Sequence, residues 1–180
     1  MKLKLLILVL ALQSAWLLGT VAVQEHALAT GNVILLETAR IDPRDLLRGD
    51  YLILNYKISD VPVNLFSPPV GKDLPCGTKV FVALVPGTNQ FCEVTRASTN
   101  EFAPSASEIL LRGMSDQHWW STNSIHVEYG IENYYVAEGT GNPTGKLIVQ
   151  AVVPVSGHPK IKEVFVDGKP YADAMKSEAP

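Results

Sequence analysis

DPRDLLRGDYLILNY, residues 42–56, joins a charged, turn-forming segment directly to an alternating apolar strand. Pro43 fixes its own φ and biases Asp42 toward an extended backbone. Asp42 and Asp45 are good N-caps, so one helical turn is expected over residues 43–47. Arg44 and Arg48 alternate with Asp42, Asp45 and Asp50. That is the pattern of local caps and surface ion pairs, each contributing under about 1 kcal/mol. The competing reading of the same carboxylates is an acid–base or cation site. Gly49-Asp50 supplies a turn, since Gly tolerates positive φ and Asp bonds its own backbone. From Tyr51 onward the side chains alternate. Tyr51, Ile53, Asn55 and Lys57 share one face, and Leu52, Leu54, Tyr56 and Ile58 share the other. The second face is the purer apolar one and is expected to meet the core.

Outward from this stretch the chain keeps reading as strands punctuated by Gly and Pro. Strands are expected over residues 33–39, 51–58, 79–85, 91–97, 108–114, 125–129, 146–155 and 159–166. Residues 59–74 hold Pro62, Pro68, Pro69 and Gly71 and read as a loop. Residues 98–107, 115–123 and 138–145 read likewise. Residues 131–136 either continue the preceding strand or form a short helix. The polar tail, residues 172–180, is expected to fray. Regular short strands with Gly/Pro turns point to a mainly β protein, an antiparallel sandwich or partly closed barrel.

The N-terminus differs in kind. Lys2 and Lys4 precede residues 5–23, an uncharged run with Gln13, Ser14 and Thr20 as its only polar side chains. Nineteen residues at 1.5 Å rise nearly span a hydrocarbon core of about 30 Å. The lysines before the run and Glu25 after it favour a cytoplasmic N-terminus and an exported remainder. The expected organisation is a cytoplasmic start (1–4), a transmembrane signal anchor (5–23), an extracytoplasmic β-domain (24–171) and a flexible tail (172–180). A cleaved signal peptide is the alternative, since Ala27-Leu28-Ala29 offers a small-x-small site. The net charge of −3 over 180 residues argues against an electrostatic nucleic-acid binder.

Several residues resemble a known family. Gly49, Asp50, Tyr51, Leu54 and Tyr56 spell the GDYXXLXY pattern, and residues 42–48 resemble the usual lead-in. A second block, Tyr129-Gly130-Ile131-Glu132 through Tyr135 and Val136 to Glu138-Gly139, is similar to the same family, as is Val166-Asp167-Gly168-Lys169. The resemblance covers residues 33–169. It implies a β-domain anchored in the bacterial inner membrane with its bulk in the periplasm, often associated with polytopic membrane proteins. It brings no catalytic residues with it.

Other residues carry chemical readings, each with a plainer one beside it. His126-x-Glu128, with Glu132 and His118 nearby, holds zinc-ligand types, and a solvated strand face is the plainer reading. Pro75-Cys76 is not followed by the second cysteine that a zinc deaminase needs. A Ser–Lys hydrolase needs a hydroxyl beside a base, and residues 41–48 contain no Ser. No Gly-x-Ser-x-Gly elbow occurs. Trp119 and Trp120 cannot share one strand face, so an extended backbone would expose one ring as an interface or membrane anchor. With Tyr134 and Tyr135 they form a candidate small-molecule or glycan surface. An exported location permits a Cys76–Cys92 disulfide of about 3 kcal/mol. A simple hairpin over residues 86–89, however, sets Cys92 opposite Leu84, and two separate thiols are the alternative. No catalytic residue, cofactor or metal is expected. The expected role is an accessory or interaction module for an integral membrane partner, with ligand binding next and hydrolysis last.

Overall fold

The computed structural model describes residues 2–39, 51–71, 74–116, 123–136 and 145–178. Side chains are described there except at residues 2, 3, 51, 177 and 178. A helix, α1 (Lys2–Thr30), opens the chain and runs seven residues past the expected span of residues 5–23. Eleven strands follow among the described residues: β1 (Asn32–Glu37), β2 (Tyr51–Ile53), β3 (Asp60–Pro62), β4 (Lys79–Pro86), β5 (Cys92–Ser98), β6 (Ile109–Asp116), β7 (Ser124–Glu128), β8 (Asn133–Tyr135), β9 (Leu147–Val153), β10 (Lys160–Val166) and β11 (Lys169–Pro170). A second helix, α2 (Tyr171–Glu178), closes the chain.

The strands form three antiparallel sheets, in the orders β1-β9-β10-β11, β2-β8 and β3-β7-β6-β4-β5. The protein is therefore mainly β, and none of these sheets closes into a barrel. Period-2 alternation builds its core. Ile34 and Leu36 of β1, Val149, Ala151 and Val153 of β9, and Val164 and Val166 of β10 point inward. They join Val80, Val82 and Leu84 of β4, Leu111 of β6, and Ile125 and Val127 of β7 in one apolar cluster. Each of the Val, Leu and Ile side chains among them stabilises the fold by about 1.5–3 kcal/mol.

Four expectations are corrected. Residues 51–58 are not one strand: β2 stops at Ile53, and Lys57–Ser59 forms a 3-10 turn. Within the expected loop of residues 59–74 lie β3, paired to β7, and a second 3-10 turn at Val63–Leu65. The tail does not fray from residue 172, because Tyr171, Ala174 and Met175 are buried on one side of α2. The β4–β5 turn is centred later than expected, so Pro86 lies opposite Cys92 and Leu84 opposite Val94. Cys76 and Cys92 are free thiols, the first exposed and the second buried. Cys76 precedes the start of β4, and Cys92 faces its end. Eight residues of strand, about 26 Å, keep the two apart.

Helix α1 enters the sheet without a linker. Gly31 is the single residue between Thr30 and Asn32, and its N–H donates to the Ala27 carbonyl at 3.1 Å. A side chain at Gly31 would begin 2.4 Å from Val152 Cγ1 and 2.9 Å from the Val153 carbonyl oxygen. Glycine is required here by close approach of another backbone.

Candidate functional site at the junction of the two motif blocks

The two blocks lie far apart in sequence and meet in space. β2 pairs with β8 in the register Tyr51↔Tyr135, Leu52↔Tyr134 and Ile53↔Asn133. The Leu54 N–H extends this pairing to the Glu132 carbonyl at 2.6 Å. Leu52, Leu54, Tyr56 and Ile58 are all buried, as the alternation predicts. On the other side, Tyr56 bridges to Thr38, and the Ala39 N–H donates to the Asn55 carbonyl at 2.7 Å. The stretch thus ties β1 to β8.

Two tyrosines lock this junction by crossing it. The Tyr56 hydroxyl, from the first block, donates to the Ile131 carbonyl of the second at 2.6 Å. The Tyr129 hydroxyl, from the second block, donates to the Ile58 carbonyl at 2.8 Å, next to the first. Both hydroxyls are buried, so each bond removes a polar group that would otherwise be costly to enclose. Burial, and then the charge of Glu132, pushes both hydroxyls far above the ordinary tyrosine range; Asp60 adds to this at Tyr129. They remain protonated donors at any ordinary pH.

Glu132 shapes the turn between them. Its Oε1 accepts from the Tyr129 N–H at 2.5 Å and its Oε2 from the Gly130 N–H at 2.8 Å. Gly130 has φ +82°, a conformation that L side chains rarely adopt, which explains the glycine in the block. The third resembling segment also closes a turn. Asp167 and Gly168 both have positive φ, and Asp167 Oδ1 accepts from the Lys146 N–H at 2.8 Å.

The remaining sequence-derived candidates are dispersed. Asp42, Pro43, Arg44, Asp45, Arg48, Gly49, Asp50, His118, Trp119, Trp120, Glu138 and Gly139 lie outside the described residues. Tyr134 is half-buried and stacks edge-on against Tyr171 of α2, ring centres 5.7 Å apart, while Tyr135 is exposed. These neighbours face opposite sides of β8 and form no shared surface. The zinc-ligand types separate too. His126 is buried, with its Nδ1 2.8 Å from Asp60 Oδ1 across the β3–β7 pair. Glu128 is exposed, and Glu132 caps its own turn. His126 therefore does not lie on a solvated face, because β3 covers an edge where a loop was expected. Among the described residues, no group of three or more His, Cys, Asp or Glu side chains is placed to hold a metal ion.

Two cavities flank the junction. One of about 390 Å³ is lined by Glu37, Lys57, Ile58, Asp60, Phe91 and Cys92, among others. Glu37 accepts from Lys57 and Lys146, each at 2.6 Å. These partners, Lys146 foremost, hold its carboxyl below the usual range. The second, about 360 Å³, is lined by Phe81, Arg112, Met114, Glu128, Tyr129 and His158, among others. Arg112 lies over Phe81, 5.5 Å from the ring centre, and pairs with Glu101. Sequence reasoning found neither cavity. Their linings come from strands distant in sequence, and no local motif signals them.

The family model described as GDYXXLXY protein matches residues 13–172, most of the chain. No curated protein and no solved structure matches it with significance.

Proposed function

This chain belongs to the GDYXXLXY family, and on that premise we propose that it is a β-domain tethered to a membrane by α1 and serving as an accessory or interaction module for an integral membrane partner. The observation that carries this reading is α1 itself. From Lys4 to Thr30 it is long and apolar enough to cross a membrane, and the rest of the chain does not cover its apolar stretch. An apolar helix of about 40 Å left in water would be strongly unfavourable. A bilayer or partner helices relieve that cost. Lys2 and Lys4 before the apolar run favour a cytoplasmic N-terminus, which puts the sheets on the outer side of a bacterial inner membrane.

The motif residues described fit an architectural role within such a module. Tyr56, Tyr129 and Glu132 engage backbone groups of the opposite or their own block. The test is purification of the full-length chain, tagged at its C-terminus, from native membrane in mild detergent, with mass spectrometry of bait and co-eluting proteins. A stoichiometric polytopic partner and an intact N-terminus support the reading. A lone chain that begins near Thr30 in the soluble envelope fraction overturns it.

The two cavities support a second reading, capture of a small ligand, since both fall within the volume range of ligand pockets. A ligand-dependent rise in melting temperature that is lost on blocking one cavity distinguishes it from the first.

A further inference from the structure

We infer that the β9–β10 turn, residues 154–159, is a second membrane contact that seats the domain on the lipid surface beside its anchor. This rests on the reading of α1 as a membrane anchor.

The first support is continuity. A single residue, Gly31, separates β1 from α1, and it is packed against Val152 and Val153 so closely that no side chain fits. The anchor therefore meets the sheet at a tight junction without slack, and the end of β9 lies against the end of the helix. The second support is direction. β9 runs antiparallel to β1, with Asn32 opposite Val153. Pro154 and Val155 continue that course back toward the anchor, by about 7 Å.

The third support is length. α1 has 29 residues, about 43 Å. If residues 5–23 fill a hydrocarbon core of about 30 Å, residues 24–30 rise about 10 Å beyond it, roughly through the headgroup layer. The return of β9 then brings Val155 into the outer part of that layer.

The fourth support is chemistry. Val155 is fully exposed at the apex of the turn, and Val33 is half-exposed on the neighbouring strand. The turn is braced, not loose: the Gly157 N–H donates to the Pro154 carbonyl at 2.9 Å, and the Gly157 carbonyl accepts from the Arg112 N–H at 2.8 Å. Its sequence, Pro-Val-Ser-Gly-His-Pro, contains no acidic residue, and Lys160 and Lys162 follow it. An apolar tip with two lysines on its C-terminal side, ahead of Glu163, matches the surface of an anionic bilayer, where apolar burial and electrostatic attraction add. With the anchor already in place, even a weak tip contact is made at high effective concentration and fixes the domain's tilt.

The test uses the full-length chain in a Cys76→Ser background, labelled with an environment-sensitive fluorophore at Val155→Cys. It is reconstituted into vesicles of phosphatidylethanolamine and phosphatidylglycerol. Lys169→Cys is the reference. It pairs with Val166, which pairs with Leu147, at the opposite end of the sheet. Ser156→Cys, also exposed in the turn, repeats the measurement independently. The expected result is blue-shifted emission at residue 155 and quenching by headgroup-linked nitroxide lipids about two-fold stronger than at residue 169. Equal, water-like signals from both positions in chains that co-float with the vesicles overturn the inference and leave the anchor reading standing. Failure of the chain to co-float overturns both.

Discussion

Tyr56 and Tyr129 show how much of the fold depends on two hydroxyls. Removing either oxygen leaves a buried carbonyl without its donor, a loss of about 1–3 kcal/mol. Tyr56→Phe is therefore expected to lower the urea midpoint of the full-length protein in detergent while preserving its circular dichroism. Tyr129→Phe should do the same. The double variant should deviate from the sum, since the two bonds secure one junction; strict additivity would show that the hydroxyls act separately. The thiols give a second test at this scale. An aromatic disulfide reagent should titrate one thiol in the native protein, Cys76, and two after denaturation, because burial covers Cys92 and pushes its thiol upward. The inward face of residues 52–58 was legible from alternation alone. The carbonyl partners were not, because a hydroxyl donor near 56 carries no mark of residue 131.

Among the elements, the β5–β6 connection offers a titratable clasp. Arg96 of β5 donates to Glu108 through Nε at 3.1 Å and Nη2 at 2.7 Å, and the Ser105 N–H donates to the same carboxylate at 2.8 Å. Arg96 first, then Ser105, lowers the Glu108 pKa from 4.5 to about 2. A carboxyl depressed on folding contributes stability above its unfolded pKa and loses it as pH falls through the folded value. Stability should therefore decline between about pH 4.5 and about pH 2. Glu108→Gln should flatten that part of the profile in a pH series of thermal melts. Helix α2 is the other test. Met175→Ala removes a buried side chain from a helix that packs against β10 and β11. The cost should be about 2 kcal/mol by denaturant titration, near the low end for such truncations because a terminal helix can relax. Tyr171, Ala174 and Met175 stand at i, i+3 and i+4, so the signal for this helix was in the sequence, diluted by Asp173, Lys176 and Ser177. β3 was hidden for another reason. Pro62 marks a loop locally, yet proline is tolerated in an edge strand, and β3 is one of the two edges of its sheet.

For the whole molecule, the class of fold was readable from short alternating runs and turn residues, and the apolar start of the chain announced α1. What was not readable is which strand meets which. β1 pairs with β9 across more than half the chain, and β2 with β8 across nearly half. Such pairings come from mutual shape and burial in the assembled core, which no local window contains. The candidate site suffered most, because its parts are joined only by those pairings. A chain ended at residue 145 makes this testable. Lacking β9 and β10, it should be cut by protease throughout and not merely trimmed at its new end.

The pairing of Asn32 with Val153 also sets an order of events in time. The first strand to emerge after the helix has only isolated bridges, at Leu35 to Phe91 and just beyond it at Thr38 to Tyr56, and no ladder partner until residues 147–153 have been made. Until then the edge of β1 that meets β9 is open. Contacts this distant in sequence form slowly, since loop closure precedes any compensating interaction. The strand that follows the helix is therefore made early and completed late, a single glycine away from an apolar helix.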